Sequence, residues 1–409
     1  MEIRKCATWQ EKVEADHIIA TAFMFPWNLE EAEQKFKEQE ENGTAEDNEI
    51  WSLYDDENHM LTAVKTKHMQ MYFDGNLLPF GEFDMVGSLP EARGVGNVRA
   101  IAREILRDFK ARGEAFAWLF PFSFAYYRKY GFELAQKYTE DKCPIEQFEL
   151  FSASNCKVER VFTDEQATKV RELYERFIPA YNMSDLKPDS EWKAYGDGDL
   201  WSPNFFRPQI KYYNYLFTDE NSKPHGFLRF HYVNGTEGIF SGSMYVDTIL
   251  FDSPANLKEI FGFIYGLRSK VREVTIRLPF AIDFAALIPE GKKAERSIKG
   301  SRMVRILDPV KVLLNMRYPE ESGQFVIHVQ DDFLPENTAN YQVIFENGKA
   351  KTVLKTNEKY DLSVTVQTFS QLAMGFSDLK AATYRDNTEI AGNEKILQKV
   401  FVLKDIYAY

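Results

Sequence analysis

Residues Phe80 to Arg99 read FGEFDMVGSLPEARGVGNVR, and the fold of the chain turns on this stretch. Its first half, ending near Ser88, is apolar enough to be a strand. A turn containing Pro90 follows. The glycines of Ala92-Arg93-Gly94-Val95-Gly96-Asn97 then lead into the amphipathic run Val98-Arg99-Ala100-Ile101-Ala102-Arg103-Glu104-Ile105-Leu106. Strand, glycine turn and helix start fall in register. The first N–H groups of a helix have no partner inside it, and glycines remove the side chains that would block approach, so such a turn makes a seat for a phosphate or pyrophosphate. Arg93 and Arg99 add positive charge. The stretch predicts a phosphate-bearing cofactor held by the amides of Gly94, Val95, Gly96, Asn97, Val98 and Arg99.

The spacing narrows the choice. A dinucleotide fold wants GxGxxG after the first strand of a βαβ unit, and here Gly94-Val95-Gly96 is followed by Asn97, Val98 and Arg99 behind what reads as an antiparallel meander. A phosphate loop with Gly-Lys-Ser/Thr is absent. What remains, RxxGx followed by a small or apolar residue over Arg93–Val98, resembles the acyl-CoA signature of the GNAT N-acetyltransferases, with Val98 where that signature usually has Gly or Ala. About thirty residues on, Phe116–Phe120 reads as a buried strand and Pro121-Phe122-Ser123 as a turn with a helix cap at Ser123. Phe124 to Glu133, FAYYRKYGFE, then gives a short helix ended by Gly131. This resembles the "FY-x-x-x-GF" element of the same superfamily, in the expected order.

Length and composition bound the rest. With 409 residues the chain is too long for one core, and 44% apolar residues with 15% aromatics are ample to build two or three domains. The first residues, MEIRKCATWQEKVEAD, carry no secretory pattern, and no apolar run is long enough to span a bilayer. The expectation is a cytoplasmic protein without a membrane partner. Cys6, Cys143 and Cys156 form no CxxC, which argues against a disulfide framework or a zinc site. A net charge of −12 disfavours nucleic acid and is compatible with a cationic substrate. His225 and His231 lie in a strand region, no HExxH occurs, and Asp197-Gly198-Asp199 lacks the other ligands of a calcium loop, so no metal is expected. No GxSxG occurs either.

Taken in order, the chain predicts a strand at Met1–Ala7, helices at Trp9–Phe23 and Leu29–Glu41, and strands near Glu49–Tyr54, Met60–Phe73 and Asn76–Ser88 before the helix Val98–Arg112. This is the GNAT order over residues 1–150. A second stretch, 151–287, repeats it: a helix from Asp164 to Tyr181, strands at Lys211–Thr218, Lys223–Asn234 and Ser243–Phe251, a helix from Pro254 to Ser269 and a strand at Val271–Leu278. Its turn, Phe251-Asp252-Ser253-Pro254-Ala255-Asn256, has no glycine and no arginine, and a carboxylate there repels a pyrophosphate. It reads as a degenerate GNAT fold that binds no cofactor. Ile288–Lys293 reads as a linker and the charged runs Glu30–Glu41 and Lys292–Lys299 as solvated helix and linker faces. Residues 288–409 then show a helix from Asp308-Pro309 to Met316, alternating runs at Gln324–Gln330, Asn340–Phe345, Lys351–Leu354 and Asp361–Val366 that suggest an antiparallel sheet, and helices at Thr368–Gly375, Ser377–Ala382 and Asn393–Val402. The order resembles a sterol carrier protein-like α+β domain, in which the space between sheet and helices either holds a lipid or, the favoured reading, is filled core.

Three domains in this order resemble the Eis family of bacterial N-acetyltransferases, which implies acetyl transfer from acetyl-CoA to an amine, aminoglycoside-like or lysine-type, by hexamers. The fold class is mixed α+β. On the GNAT resemblance, backbone groups of Val86, Gly87 and Ser88 hold the pantetheine and thioester carbonyl, Phe122 and Ser123 touch the far side, and Tyr127 is the acid that protonates the departing thiolate. Phe23, Phe25 and Trp27, between the first two helices, line the acceptor pocket or form an ordinary helix contact. In the Eis family the C-terminal carboxylate acts as proton acceptor. Tyr409 carries it here, and the apolar run Val402–Tyr409 suggests a docked end. Two other readings stay open at this point: a non-catalytic protein of the same folds that binds acyl-CoA or an apolar ligand, and transfer of a longer acyl chain.

Overall fold

The computed structural model describes residues 1–409 except 43–47, 152–155, 196–198, 201–209, 236–237, 386 and 408–409. The chain forms two compact units, one of residues 1–135 with 301–403 and one of residues 136–300 with 404–409.

The first unit opens with β1 (Glu2–Lys5), α1 (Trp9–Phe23), α2 (Leu29–Glu41), β2 (Asn48–Tyr54), β3 (Met60–Phe73) and β4 (Asn76–Ser88). It continues with α3 (Asn97–Ala111), β5 (Phe116–Leu119), α4 (Phe124–Arg128) and β6 (Glu133–Leu134). Local chemistry sets the boundaries. Thr8 and Glu11 form a reciprocal capping box at the start of α1, and Asn28 and Ser123 cap α2 and α4 through their side chains. Asp74-Gly75, both at positive φ, close the β3–β4 hairpin. β1 to β4 pair antiparallel in sequence order, and β4 pairs parallel with β5. One face of this sheet packs on α3, which buries Ile101, Ala102, Ile105, Leu106 and Phe109. Side chains at that spacing share one helix face and turn an amphipathic run into a core element.

The sheet is finished by a segment far along the chain. Met303–Ile306 inserts between β5 and β6, antiparallel to both, with all of its residues buried. The sequence reading has no strand there. After it come a helix at Pro309–Asn315, capped by Asp308, and a five-stranded sheet in the order Lys349–Thr356, Ala339–Glu346, Gly323–Gln330, Leu362–Thr365, Glu389–Ile390. That sheet is mixed rather than antiparallel: Gly323–Gln330 and Leu362–Thr365 run parallel. Two parallel neighbours cannot be joined by a hairpin, and here the hairpin Ala339–Thr356 supplies the crossover. The helix Val366–Met374 is almost wholly buried and ties this sheet to the first one, since Ser370 Oγ accepts from the Ile306 amide at 3.2 Å and Gln371 Nε2 donates to the Leu134 carbonyl at 2.7 Å.

The second unit has its own sheet, ordered Glu295–Gly300, β7 (Lys137–Pro144), Val271–Leu278, Gly238–Phe251, Pro224–Gly235, Tyr212–Thr218, β8 (Lys157–Arg160). The helices α5 (Asp164–Phe177) and α6 (Pro254–Gly266) pack on it. Only Gly238–Phe251 and Val271–Leu278 are parallel, as β4 and β5 are in the first unit. The expected linker at Ile288–Lys293 contains one 3-10 turn, Gly291–Lys293, and leads into the edge strand Glu295–Gly300, so the charged run Lys292–Lys299 is in large part a strand face. An exposed edge strand is polar for the same reason a linker is, and the sequence alone does not separate them.

Candidate active site

β4 and β5 pair only over Phe80–Phe83 and Phe116–Leu119. A bulge follows at once: Lys65 of β3 faces Met85 and Thr66 faces Phe83, so Asp84 is the extra residue. A bulge bends its strand. Beyond it β4 runs on to Ser88 along β3 alone, while β5 has ended. The two strands therefore part, and the gap between them is walled by Val64, Phe83, Val86, Leu119, Tyr127 and Phe132, with Val98 and Ala102 of α3 along one side. Val98, which departs from the GNAT signature, thus serves as an apolar wall of the gap and packs on the core.

At the open end of α3 the backbone is prepared for an anion. Gly94 and Gly96 adopt φ of +81° and +98°, and a Cβ on either would point into open space. No side chain caps the helix, and among the described residues the amides of Gly94 to Arg99 have no acceptor. Unpaired N–H groups at the positive end of a helix dipole, on left-handed glycines that turn them the same way, favour a phosphate. Asn97 Nδ2 donates to the Ala92 carbonyl at 3.2 Å and Arg93 Nε to the Ser88 carbonyl at 3.3 Å, which fixes the loop shape. Val95 is 74% exposed at its tip.

The expected backbone contacts at Val86, Gly87 and Ser88 fall on the part of β4 that β5 leaves uncovered. Gly87 is required for packing: a Cβ there would meet the Ile19 Cα at 2.9 Å, so α1 lies directly on the strand. Ser88 Oγ bonds Thr62 Oγ1 at 2.8 Å and is buried, which leaves only its backbone for a ligand. On the other side of the gap, Ser123 Oγ is committed to capping α4, accepting from the Tyr126 amide at 3.3 Å. Phe122 is 77% exposed and packs edge-on against Tyr127, with ring centroids 5.5 Å apart. Tyr127 is buried in the wall of the gap, and its hydroxyl has no hydrogen-bond partner among the described residues. Burial raises its pKa well above that of a free phenol, so it holds its proton.

Phe23 and Phe25 stack with centroids 5.3 Å apart at the end of α1, beside the helix turn that abuts Gly87. Trp27 is tied elsewhere: its Nε1 donates to Asp16 at 3.1 Å and its ring lies 4.5 Å from His17. Tyr409 lies outside the described residues, as do Asp197 and Gly198. The chain is held as far as Tyr407, whose carbonyl accepts from Gln136 Nε2 at 2.6 Å and whose ring packs on Phe177 at 5.4 Å.

The corresponding turn of the second unit is built differently. Ser253 caps α6 by accepting from the Asn256 amide at 3.3 Å, and Asp252 pairs with Arg176 at 3.0 Å. A capped helix start beside a carboxylate offers no anion seat. In the same unit Cys156, His225 and Glu259 bring ligand-type atoms within 4.8 Å of one another, from positions whose spacing in sequence gives no hint of it; His225 Nε2 is hydrogen-bonded to Glu259 at 2.8 Å. Sequence reasoning also passed over Arg103 and Phe333. The arginine is legible as the residue one helical turn after Arg99, whereas the phenylalanine is reached only through the fold.

Family models match three parts of the chain: an acetyltransferase (GNAT) domain at residues 5–135, a second acetyltransferase (GNAT) domain at 187–306, and a sterol carrier protein domain at 309–405. No protein of curated function matches the sequence. Three solved structures share the whole architecture. A conserved protein from Enterococcus faecalis V583, described as a probable N-acyltransferase, is 18% identical with a TM-score of 0.83, covering 100% of this chain and 99% of its own. A GCN5-related N-acetyltransferase from Anabaena variabilis is 20% identical with a TM-score of 0.80, covering 99% and 100%. Eis1 from Mycobacterium abscessus is 16% identical with a TM-score of 0.80, covering 100% and 98%. At these identities the likeness is one of fold.

Proposed function

We propose that this chain, a member of the Eis-like GNAT family with two GNAT domains followed by a sterol carrier protein-like domain, moves an acetyl group from acetyl-CoA to a primary amine. The observation that carries this reading is the run of unpartnered amides from Gly94 to Arg99 at the mouth of the gap between β4 and β5. Those amides, with Arg93, would hold the pyrophosphate. The backbone of Val86, Gly87 and Ser88 would align the pantetheine and take up the negative charge that develops on the thioester oxygen.

The acceptor is a small-molecule or peptide amine whose nitrogen attacks the thioester directly. A lysine-type amine has a pKa near ~10.4 and arrives protonated, so it must lose a proton before it attacks. The leaving CoA sulfur gains one, and Tyr127, in the wall of the gap, would donate it. The Tyr409 carboxylate is the acceptor that the family resemblance nominates for the amine proton. Phe23 and Phe25 would flank the incoming acceptor, while Trp27, bound to Asp16, orders the turn that carries them.

Thiol release from a panel of acyl-CoAs with a panel of amines tests the proposal. Amine-dependent release with a preference for acetyl-CoA is expected. A protein that releases none is a carrier, and one that prefers long chains is a different enzyme.

A further inference from the structure

Two cations of α3 rest on one ring supplied by the sterol carrier protein-like domain. Arg99 and Arg103, one helical turn apart, lie 5.2 and 5.0 Å from the centroid of Phe333, and Arg305 packs on the same ring at 5.6 Å. Phe333 is buried and its loop is locked. Asp331 Oδ1 accepts from the amides of Phe333 and Leu334 at 3.2 and 2.9 Å, and Asp331 Oδ2 accepts from Arg305 at 2.5 Å and Asn337 at 3.0 Å. The ring is therefore a fixed platform rather than a mobile side chain.

The charges on the platform are unevenly balanced. Arg305 is neutralised by Asp331, and Arg107, the next arginine along the α3 stripe, meets Glu104 at 3.4 Å and Glu336 at 3.5 Å. Among the described residues Arg99 and Arg103 have no carboxylate partner, and Arg103 Nε is buried without a hydrogen-bond acceptor. Two uncompensated guanidiniums held side by side repel each other unless an anion joins them. A planar fork of donors matches the oxygens of a phosphate.

Acyl-CoA carries a phosphate besides its pyrophosphate, the one on the ribose 3′ oxygen. We infer that Arg103 and Arg99, held against Phe333, form the binding place for that 3′-phosphate, so that the enzyme distinguishes CoA thioesters from thioesters lacking it. This rests on the reading of the α3 amides as the pyrophosphate seat. Arg103 is then a binding residue and Phe333 a positioning residue, and the sterol carrier protein-like domain takes part in recognising the acyl donor.

Calorimetric titration with CoA and with 3′-dephospho-CoA tests this. The unaltered protein is expected to bind CoA about tenfold or more tighter than dephospho-CoA, the effect of one charge-assisted contact. Arg103→Gln should weaken CoA to the level of dephospho-CoA and leave dephospho-CoA unchanged. Phe333→Leu should narrow the gap, and Phe333→Tyr, which keeps a ring, should restore it. Equal affinities in the unaltered protein, or a gap undiminished in Arg103→Gln, overturn the inference while leaving acyl-CoA binding intact. A protein that binds neither ligand overturns the acyl-CoA reading and this inference together.

Discussion

Arg305 and Asp331 form an ion pair at 2.5 Å with both side chains fully buried. Arg305 stands on the strand that completes the N-terminal sheet, and Asp331 on the loop after the strand Gly323–Gln330. The guanidinium also donates to the Tyr130 carbonyl just past α4, so one residue joins the wall of the gap between β4 and β5 to the C-terminal domain. Burial lowers the Arg305 pKa, and Asp331 opposes that shift. Asp331→Asn should therefore strand a buried charge and cost about 3–5 kcal/mol in a urea melt, and adding Arg305→Met should recover part of it. A double variant less stable than the single one would contradict the account.

Tyr127 and the gap give a kinetic prediction. If its hydroxyl protonates the departing sulfur, Tyr127→Phe should lower kcat by about 100-fold while leaving CoA affinity within about twofold, because the ring and its packing survive. Measured turnover equal to that of the unaltered protein removes Tyr127 from the chemistry.

His68 lies between Glu114 at 2.5 Å and Glu49 at 3.1 Å. The hydrogen bond to Glu114 raises its pKa above the usual 6.5, against the opposing effect of burial. Stability from this contact is fully present below about 6.5 and is lost as pH rises through the raised value. Burial pushes Glu49 upward, but hydrogen bonds from Lys5, His68 and Arg112 prevail and hold it at about 2. Its contribution is present above the usual carboxylate value of 4.5 and is lost as pH falls toward 2. Urea melts from pH 3 to pH 9 should show both declines, and His68→Gln should flatten the alkaline one. An unchanged alkaline slope in that variant contradicts the assignment.

Much of this was legible in the residues. The cap Ser123 and the apolar stripe of α3 act through neighbours in sequence, and the elements they bound fall where periodicity places them. The glycine turn with its unpartnered amides was legible for the same reason, since glycines, helix start and arginines are contiguous. What escaped depends on distant partners. Met303–Ile306 is too short to read as a strand and carries Arg305, a residue no core strand advertises, whose charge is met by Asp331. β7 alternates Tyr138, Glu140 and Lys142 with Thr139, Asp141 and Cys143, and its Asp141 is buried because Arg296 of the neighbouring edge strand pairs with it at 2.7 Å. The Phe333 platform has no local signature at all.

The central claim is that the first GNAT domain alone seats the acyl donor, on the amides that begin α3. Gly96→Asp tests it most directly: a Cβ there meets no protein atom within 4 Å, so the new side chain starts in open space, and it brings a carboxylate to where the pyrophosphate would sit. The positive φ of +98° makes some loss of stability expected, about 1 kcal/mol, which a melt would register separately from binding. Calorimetric titration with CoA should give one site per chain in the unaltered protein and an affinity at least about 100-fold weaker in the folded variant. Two sites per chain, or a Gly96→Asp protein that binds CoA as tightly as its parent, would contradict it.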